Sequence, residues 1–171
     1  IVSRGLGDVY KRQSNRWLKM YIEIINEEFD PWQKLVEYKR SQLKEKNNIG
    51  ACSVFLGTMR DINSGDAIKS MELQHYPDMT EGYLIKIVEN ATKKYKIIDS
   101  IVLHRVGLVN PSDPIVLVAS WSEHRDEAFE ATRQIMESLK SEAPFWKKEA
   151  TDKGFRWVEP EMQSSEEMNE A

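Results

Sequence analysis

The sequence predicts an α+β domain: a mixed, largely antiparallel sheet carrying three main helices. Three observations predict it. Apolar residues recur at helical spacing in three segments, bounded by Asp30-Pro31, Asn47-Asn48 and Pro144 among other start and stop signals. Between them lie short runs rich in β-branched residues, separated by turn sequences such as Asn-Pro-Ser-Asp. Their order is β-α-β-β-α-β-β-α-β, with no internal repeat.

Taken in turn, residues 20–29 (MYIEIINEEF) alternate apolar and polar side chains and read as the first strand. Asp30 is an N-cap and Pro31 a first-turn proline for a helix through WQKLVEYKRSQLK. Residues 49–60 (IGACSVFLGTMR) are small and β-branched, a buried strand ending at Arg60. DINSGD is a turn or mobile loop, AIKSMELQHY a strand, and PDMT a turn and cap. EGYLIKIVENATKKY is an amphipathic helix with Leu84, Ile87, Val88 and Ala91 on one stripe. SIVLHRVGLV and PIVLVASWS form a hairpin joined by NPSD. A long helix over 122–142 puts Phe129, Thr132, Met136, Leu139 and Ala143 along one face, and Pro144 stops it. GFRWV is the last strand.

The ends are set apart. Residues 1–13 (IVSRGLGDVYKRQ) have no amphipathic period and no apolar h-region, so they are not a signal peptide. GDVYKRQ matches the translated end of a sequencing adapter, and the stretch reads as a non-native or disordered extension. The domain is expected over 20–160, with a polar tail over 161–171.

Composition narrows the function. The chain has 171 residues, 40% hydrophobic and 30% charged, and a net charge of -4. That describes a soluble globular protein with no membrane-length apolar run. Its acidity argues against a nucleic-acid coat, so any anion site must be local. One cysteine, Cys52, excludes an intramolecular disulfide framework and fits a cytoplasmic, reducing setting. There is no Cys-x-x-Cys, no His-Glu-x-x-His and no Gly-rich phosphate loop, so no metal or cofactor is expected.

Against that background, basic residues gather at element ends. Arg60 follows a strand, His124 and Arg125 open the long helix, Lys140 closes it, Lys147 and Lys148 follow the proline, and Arg156 lies in the last strand. Lys140 suits a helix C-terminus, but positive charge at a helix N-terminus is mildly unfavourable, which singles out His124 and Arg125. Phe145 and Trp146 are expected to anchor Lys147 to the core. Singly each residue has a structural explanation. Together they suit a phosphorylated planar substrate, with arginine forks for phosphate and lysine amines at the reacting centre. A binding module without turnover and a nucleic-acid binder stacking bases on Trp146 and Trp157 are the alternatives.

FLGTMRD, LQHYPDMTE, LHRVGLVNPSDPIVLVASWSEHR, AFEATRQIMESLKSEAPFWKKE and RWVE resemble, in order and spacing, the large catalytic subunit family of molybdopterin synthase. The resemblance implies an α/β-hammerhead-like fold and a sulfurtransferase that converts cyclic pyranopterin monophosphate to the dithiolene molybdopterin. It implies that sulfur arrives as a thiocarboxylate on the C-terminal Gly-Gly of a small ubiquitin-like subunit, within a heterotetramer built on a homodimer. By position it makes Lys140 and Lys147 catalytic. Thr58, Met59, Arg60, His124, Arg125, Lys148 and Glu149 fall on substrate-pocket positions, and Arg156 on a supporting, substrate-binding one. Ser112 and Pro114 stand where the family usually has glycine and a non-proline residue, a departure expected to touch a turn and not the pocket.

Overall fold

Val102, Leu103, Leu117 and Val118 have no exposed surface, and the strands that carry them form the middle of the first of two sheets. The structure is a computed structural model that describes residues 20–158. The expectations for residues 1–13 and 161–171 lie outside the described residues.

The elements follow the order β1 (Met20–Ile25), α1 (Pro31–Gln42), β2 (Ala51–Thr58), β3 (Ile62–Asn63), β4 (Asp66–His75), α2 (Pro77–Tyr95), β5 (Asp99–Arg105), β6 (Gly107–Val109), β7 (Pro114–Ser122), α3 (Arg125–Ser141), β8 (Phe145–Thr151) and β9 (Gly154–Val158). The first sheet runs β1-β5-β7-β2, with β1 and β5 parallel and the other pairs antiparallel. The second runs β3-β4-β8-β9, and β6 pairs with β4 on its other edge. The fold is α+β and largely antiparallel, as the sequence predicts.

Each face of the first sheet is covered by helix. Tyr38 and Leu43 of the α1 region pack on Ile101, Leu103, Leu117, Ala119 and Trp121. On the other face Leu84, Ile87, Val88 and Ala91 of α2 and Ile135 and Leu139 of α3 meet Val102, Val116 and Val118. Full burial of such side chains contributes roughly 1.5–3 kcal/mol each. Asp30 caps α1 by accepting from the backbone N–H of Trp32 at 2.8 Å and of Gln33 at 3.0 Å. The helix is tied to β5 by Asp99, which accepts from the Tyr38 hydroxyl at 2.7 Å and pairs with Lys46 at 2.5 Å.

Several elements differ from the expectation, each for a physical reason. β1 ends at Ile25, and α2 starts at Pro77, which serves as its first-turn proline. β2 is an edge strand and not a buried one: Val54 is 38% and Phe55 42% exposed. DINSGD is a tight hairpin turn in which Ser64 and Gly65 both take positive φ, 52° and 84°. Gly107, at φ 83°, turns β6 away from the β5–β7 ladder and onto β4, so the expected hairpin is shared between two sheets. Phe129 is 60% exposed, because the buried stripe of α3 is Ala128, Ala131, Thr132, Ile135 and Leu139. The stretch after Pro144, to which the sequence pattern assigns no element, is the strand β8.

Candidate active site

β8 explains how neighbouring lysines come to do different things. Its register against β4 sets Phe145, Lys147 and Glu149 opposite His75, Leu73 and Met71. Leu73 and Met71 are buried, so this is the inward side. Lys148 and Trp146 therefore point the other way. The Lys148 ammonium lies over the rings of Phe155, at 5.1 Å, and Trp157, at 5.6 Å. Trp146 is 41% exposed and meets Tyr76 edge-on, so it does not anchor the core.

Phe145 does. It packs against the cluster that holds Leu139 and against the one that holds Met59. Its ring stacks on His104 at 3.8 Å and 11°. Arg60 follows Met59, Lys140 follows Leu139, and Lys147 lies two residues beyond Phe145 on the same face. One partly buried ring thus ties together the strand end, the helix end and β8, the three segments that carry Arg60, Lys140 and Lys147.

Thr58 and Arg60 are exposed and Met59 is buried. Met59 is pinned by backbone bonds to Asp113, at 2.9 Å, and from Ser112, at 2.9 Å. Beside it an open hollow of about 450 Å³ is lined by Met59, Arg60, Asp61, Ile62, Pro111 and Ser112. A second hollow of about 670 Å³ shares Ser112 and runs past Thr58 to Trp32. Ser112 thus lines the hollow beside Arg60, where the sequence reading kept it to a remote turn. Its φ of 75° is one that glycine adopts more easily.

Glu149 and Arg156 are joined to each other. The Arg156 Nε donates to Glu149 at 2.9 Å, and Glu149 is 5% exposed. His124 is the N-cap of α3 and makes no side-chain cap bond; Arg125 is the first helical residue, exposed beside Asp126 at 3.7 Å. Both sit at the far end of α3 from Lys140. The helix is continuous, so about 24 Å separates His124 from Lys140 at 1.5 Å per residue.

Sequence reasoning missed two parts of this arrangement. His104 was hidden in an apolar run, although a histidine inside an all-buried strand was itself a signal. Its Nδ1 donates to the Arg105 carbonyl at 2.8 Å, leaving Nε2 with the lone pair. Burial, with the charges of Lys147 and His75 adding to it against the opposing carbonyl bond, brings its pKa down to about 4. The other omission was Asn63 and Asp66, placed in a loop that is in fact ordered against Glu149 and Arg156.

A family model described as MoaE protein matches residues 24–142. The chain belongs to that family. A molybdopterin synthase catalytic subunit from Ralstonia nicotianae is 57% identical over 111 residues, which span 65% of this chain and 63% of that relative. A molybdopterin synthase catalytic subunit from Pseudomonas aeruginosa is 43% identical over 141 residues, spanning 82% of this chain and 91% of its own. Among solved structures, a molybdopterin biosynthesis MoaE protein from Burkholderia ambifaria superposes with a TM-score of 0.69 at 40% identity, covering 85% of this chain and 93% of that one. The MoaE match ends before β8, so Lys147, Lys148, Glu149 and Arg156 lie beyond the matched residues.

Proposed function

We propose that the chain is the catalytic subunit of a molybdopterin synthase, a sulfurtransferase. It takes sulfur from the C-terminal thiocarboxylate of a small ubiquitin-like subunit and places it on cyclic pyranopterin monophosphate to form the dithiolene. The observation that carries this reading is that, in a MoaE-family chain, Phe145 packs against both the cluster that holds Leu139, next to Lys140, and the cluster that holds Met59, next to Arg60, with Lys147 two residues on. Both reactants are anions, a phosphate and a thiocarboxylate. A cluster of cations offsets the repulsion between them and orients both. Arg60, exposed at the hollow, suits the phosphate as a planar fork. Lys140 and Lys147 suit the reacting centre, where an amine can give or take a proton or stabilise developing negative charge. The relatives' name, catalytic subunit, supports the presence of a second subunit.

The functional unit in this reading is a two-fold dimer. A pterin monophosphate spans on the order of 10 Å by ordinary covalent dimensions and cannot bridge the roughly 24 Å from His124 to Lys140. His124 and Arg125 of a second copy complete the site that holds Arg60, Lys140 and Lys147 of the first. The assay is conversion of cyclic pyranopterin monophosphate to dithiolene product by purified protein with thiocarboxylated partner. Turnover is the expected result; a folded dimer that binds both reactants and produces none would overturn the reading.

A further inference from the structure

β8 is ambiguous in its own sequence. Phe145-Trp146 and Lys147-Lys148 are pairs of like residues, so a one-residue slip against β4 exchanges each for its neighbour. An aromatic would still face the core and a lysine would still stand two residues on. The third inward position alone tells the registers apart, Glu149 in one and Ala150 in the other. The β4–β8 ladder is also interrupted, since Lys69 is an extra residue between Ile68, opposite Thr151, and Ser70, opposite Ala150. Backbone pairing at that end therefore constrains the register weakly.

Side chains supply the constraint. The Asn63 amide donates to one Glu149 oxygen at 2.7 Å while Arg156 Nε donates to the other at 2.9 Å. Arg156 also donates to the Asp66 carboxylate at 2.9 Å and to the Asn63 carbonyl at 3.0 Å, and Lys153 donates to Asp66 at 2.6 Å. β8 and β9 are one hairpin, so Glu149 and Arg156 would travel together in a slip. Asn63 and Asp66 belong to the other hairpin, β3–β4, and they hold the two hairpins in step. A slip would strip the buried Glu149 carboxylate and the Arg156 guanidinium of these partners.

We infer that Asn63 and Asp66 are positioning residues that fix the register of β8, and so select Lys147 over Lys148 for the inward side of the sheet. The consequence for catalysis rests on the reading of Lys147 given above; the register does not. The test uses full-length chain with Cys52→Ser and paired cysteines bridged by a short thiol-reactive reagent, read by mass spectrometry. Ser70→Cys/Ala150→Cys are opposite one another in the present register, and Met71→Cys/Ala150→Cys become opposite after the slip. Only the first pair should bridge. Adding Asn63→Ala/Asp66→Ala should cut bridging of the first pair and produce it in the second. Should that double variant fail to fold by circular dichroism, Asp66→Asn decides, with a smaller shift in the same direction expected. Bridging confined to the first pair in a folded variant overturns the inference and leaves the reading of Lys147 untouched. A shifted register with undiminished turnover would instead count against Lys147.

Discussion

His104 is held neutral by its surroundings, and that has a measurable consequence. Its pKa is about 4 in the fold against 6.5 in an unfolded chain. Between those values the unfolded state binds the extra proton, so acid favours unfolding. The stabilising contribution is complete above about pH 7 and is lost as the pH falls toward 4, on the order of 2 kcal/mol by pH 5. His104→Gln should flatten the fall in melting temperature between neutral pH and pH 5; an unchanged slope would show that other groups set it. Ser112 makes a second residue-scale prediction. A non-glycine residue at φ 75° is strained, so Ser112→Gly should raise stability by roughly 1 kcal/mol in denaturant titrations. At the lysines the expectation concerns rate. Lys140→Ala and Lys147→Ala should each lower turnover by about 100-fold or more with the fold intact, whereas Lys148→Ala, on the other side of β8, should change turnover far less. Near-normal rates in either of the first two would remove the catalytic assignment.

At the scale of elements, the junction between β2 and α3 leaves no room for a side chain at Gly50. A Cβ on Gly50 would lie 2.1 Å from the Glu123 carbonyl oxygen, backbone against backbone. Gly50→Ala must therefore push the turn that carries His124 and Arg125 away from β2. The expected result is a loss of several kcal/mol, visible as a lowered unfolding midpoint, by the overpacking of a site that cannot yield. What the sequence revealed of the elements follows the same physics. α1, α2 and α3 were legible because their caps, prolines and apolar stripes are local signals. The edge position of β2 was not, since Val54, Phe55 and Leu56 look alike whether they are covered or bare; only the pairing order leaves them at the rim. β8 was obscured by its own charges: Lys147-Lys148-Glu149 reads as polar chain until β4 and β9 flank it. The basic residues of the candidate site were visible singly as cations at element ends. Their division between the two sides of β8, and the commitment of Glu149 to Arg156, are properties of register, which no local pattern carries.

For the whole molecule, the decisive geometry is the relation between α3 and β2. β2 is antiparallel to β7, and α3 folds back over both after β7, so α3 runs alongside β2 in the same direction. The Gly50 N–H donates to the Ser122 carbonyl at 3.0 Å at one end, and the Thr132 hydroxyl reaches the Ser53 carbonyl at 3.5 Å part-way along. His124 consequently lies at the start of β2, and Lys140 at its end with Thr58 and Arg60. β2 is also the rim of its sheet, with Val54 and Phe55 uncovered. Two copies paired antiparallel along β2 would set Ala51 of each against Thr58 of the other. That arrangement carries His124 and Arg125 of one protomer to the Arg60 and Lys140 end of its partner, giving two composite sites related by the two-fold axis. Complementation tests it. His124→Ala/Arg125→Ala and Lys140→Ala chains should each be inactive alone, and their mixed dimers should regain one working site in two. Val54→Lys/Phe55→Lys should give folded monomers without turnover, because like charges would meet across the rim. Mixed dimers that stay inactive, or monomers at full rate, would show that each chain holds a complete site and that His124 serves some other purpose.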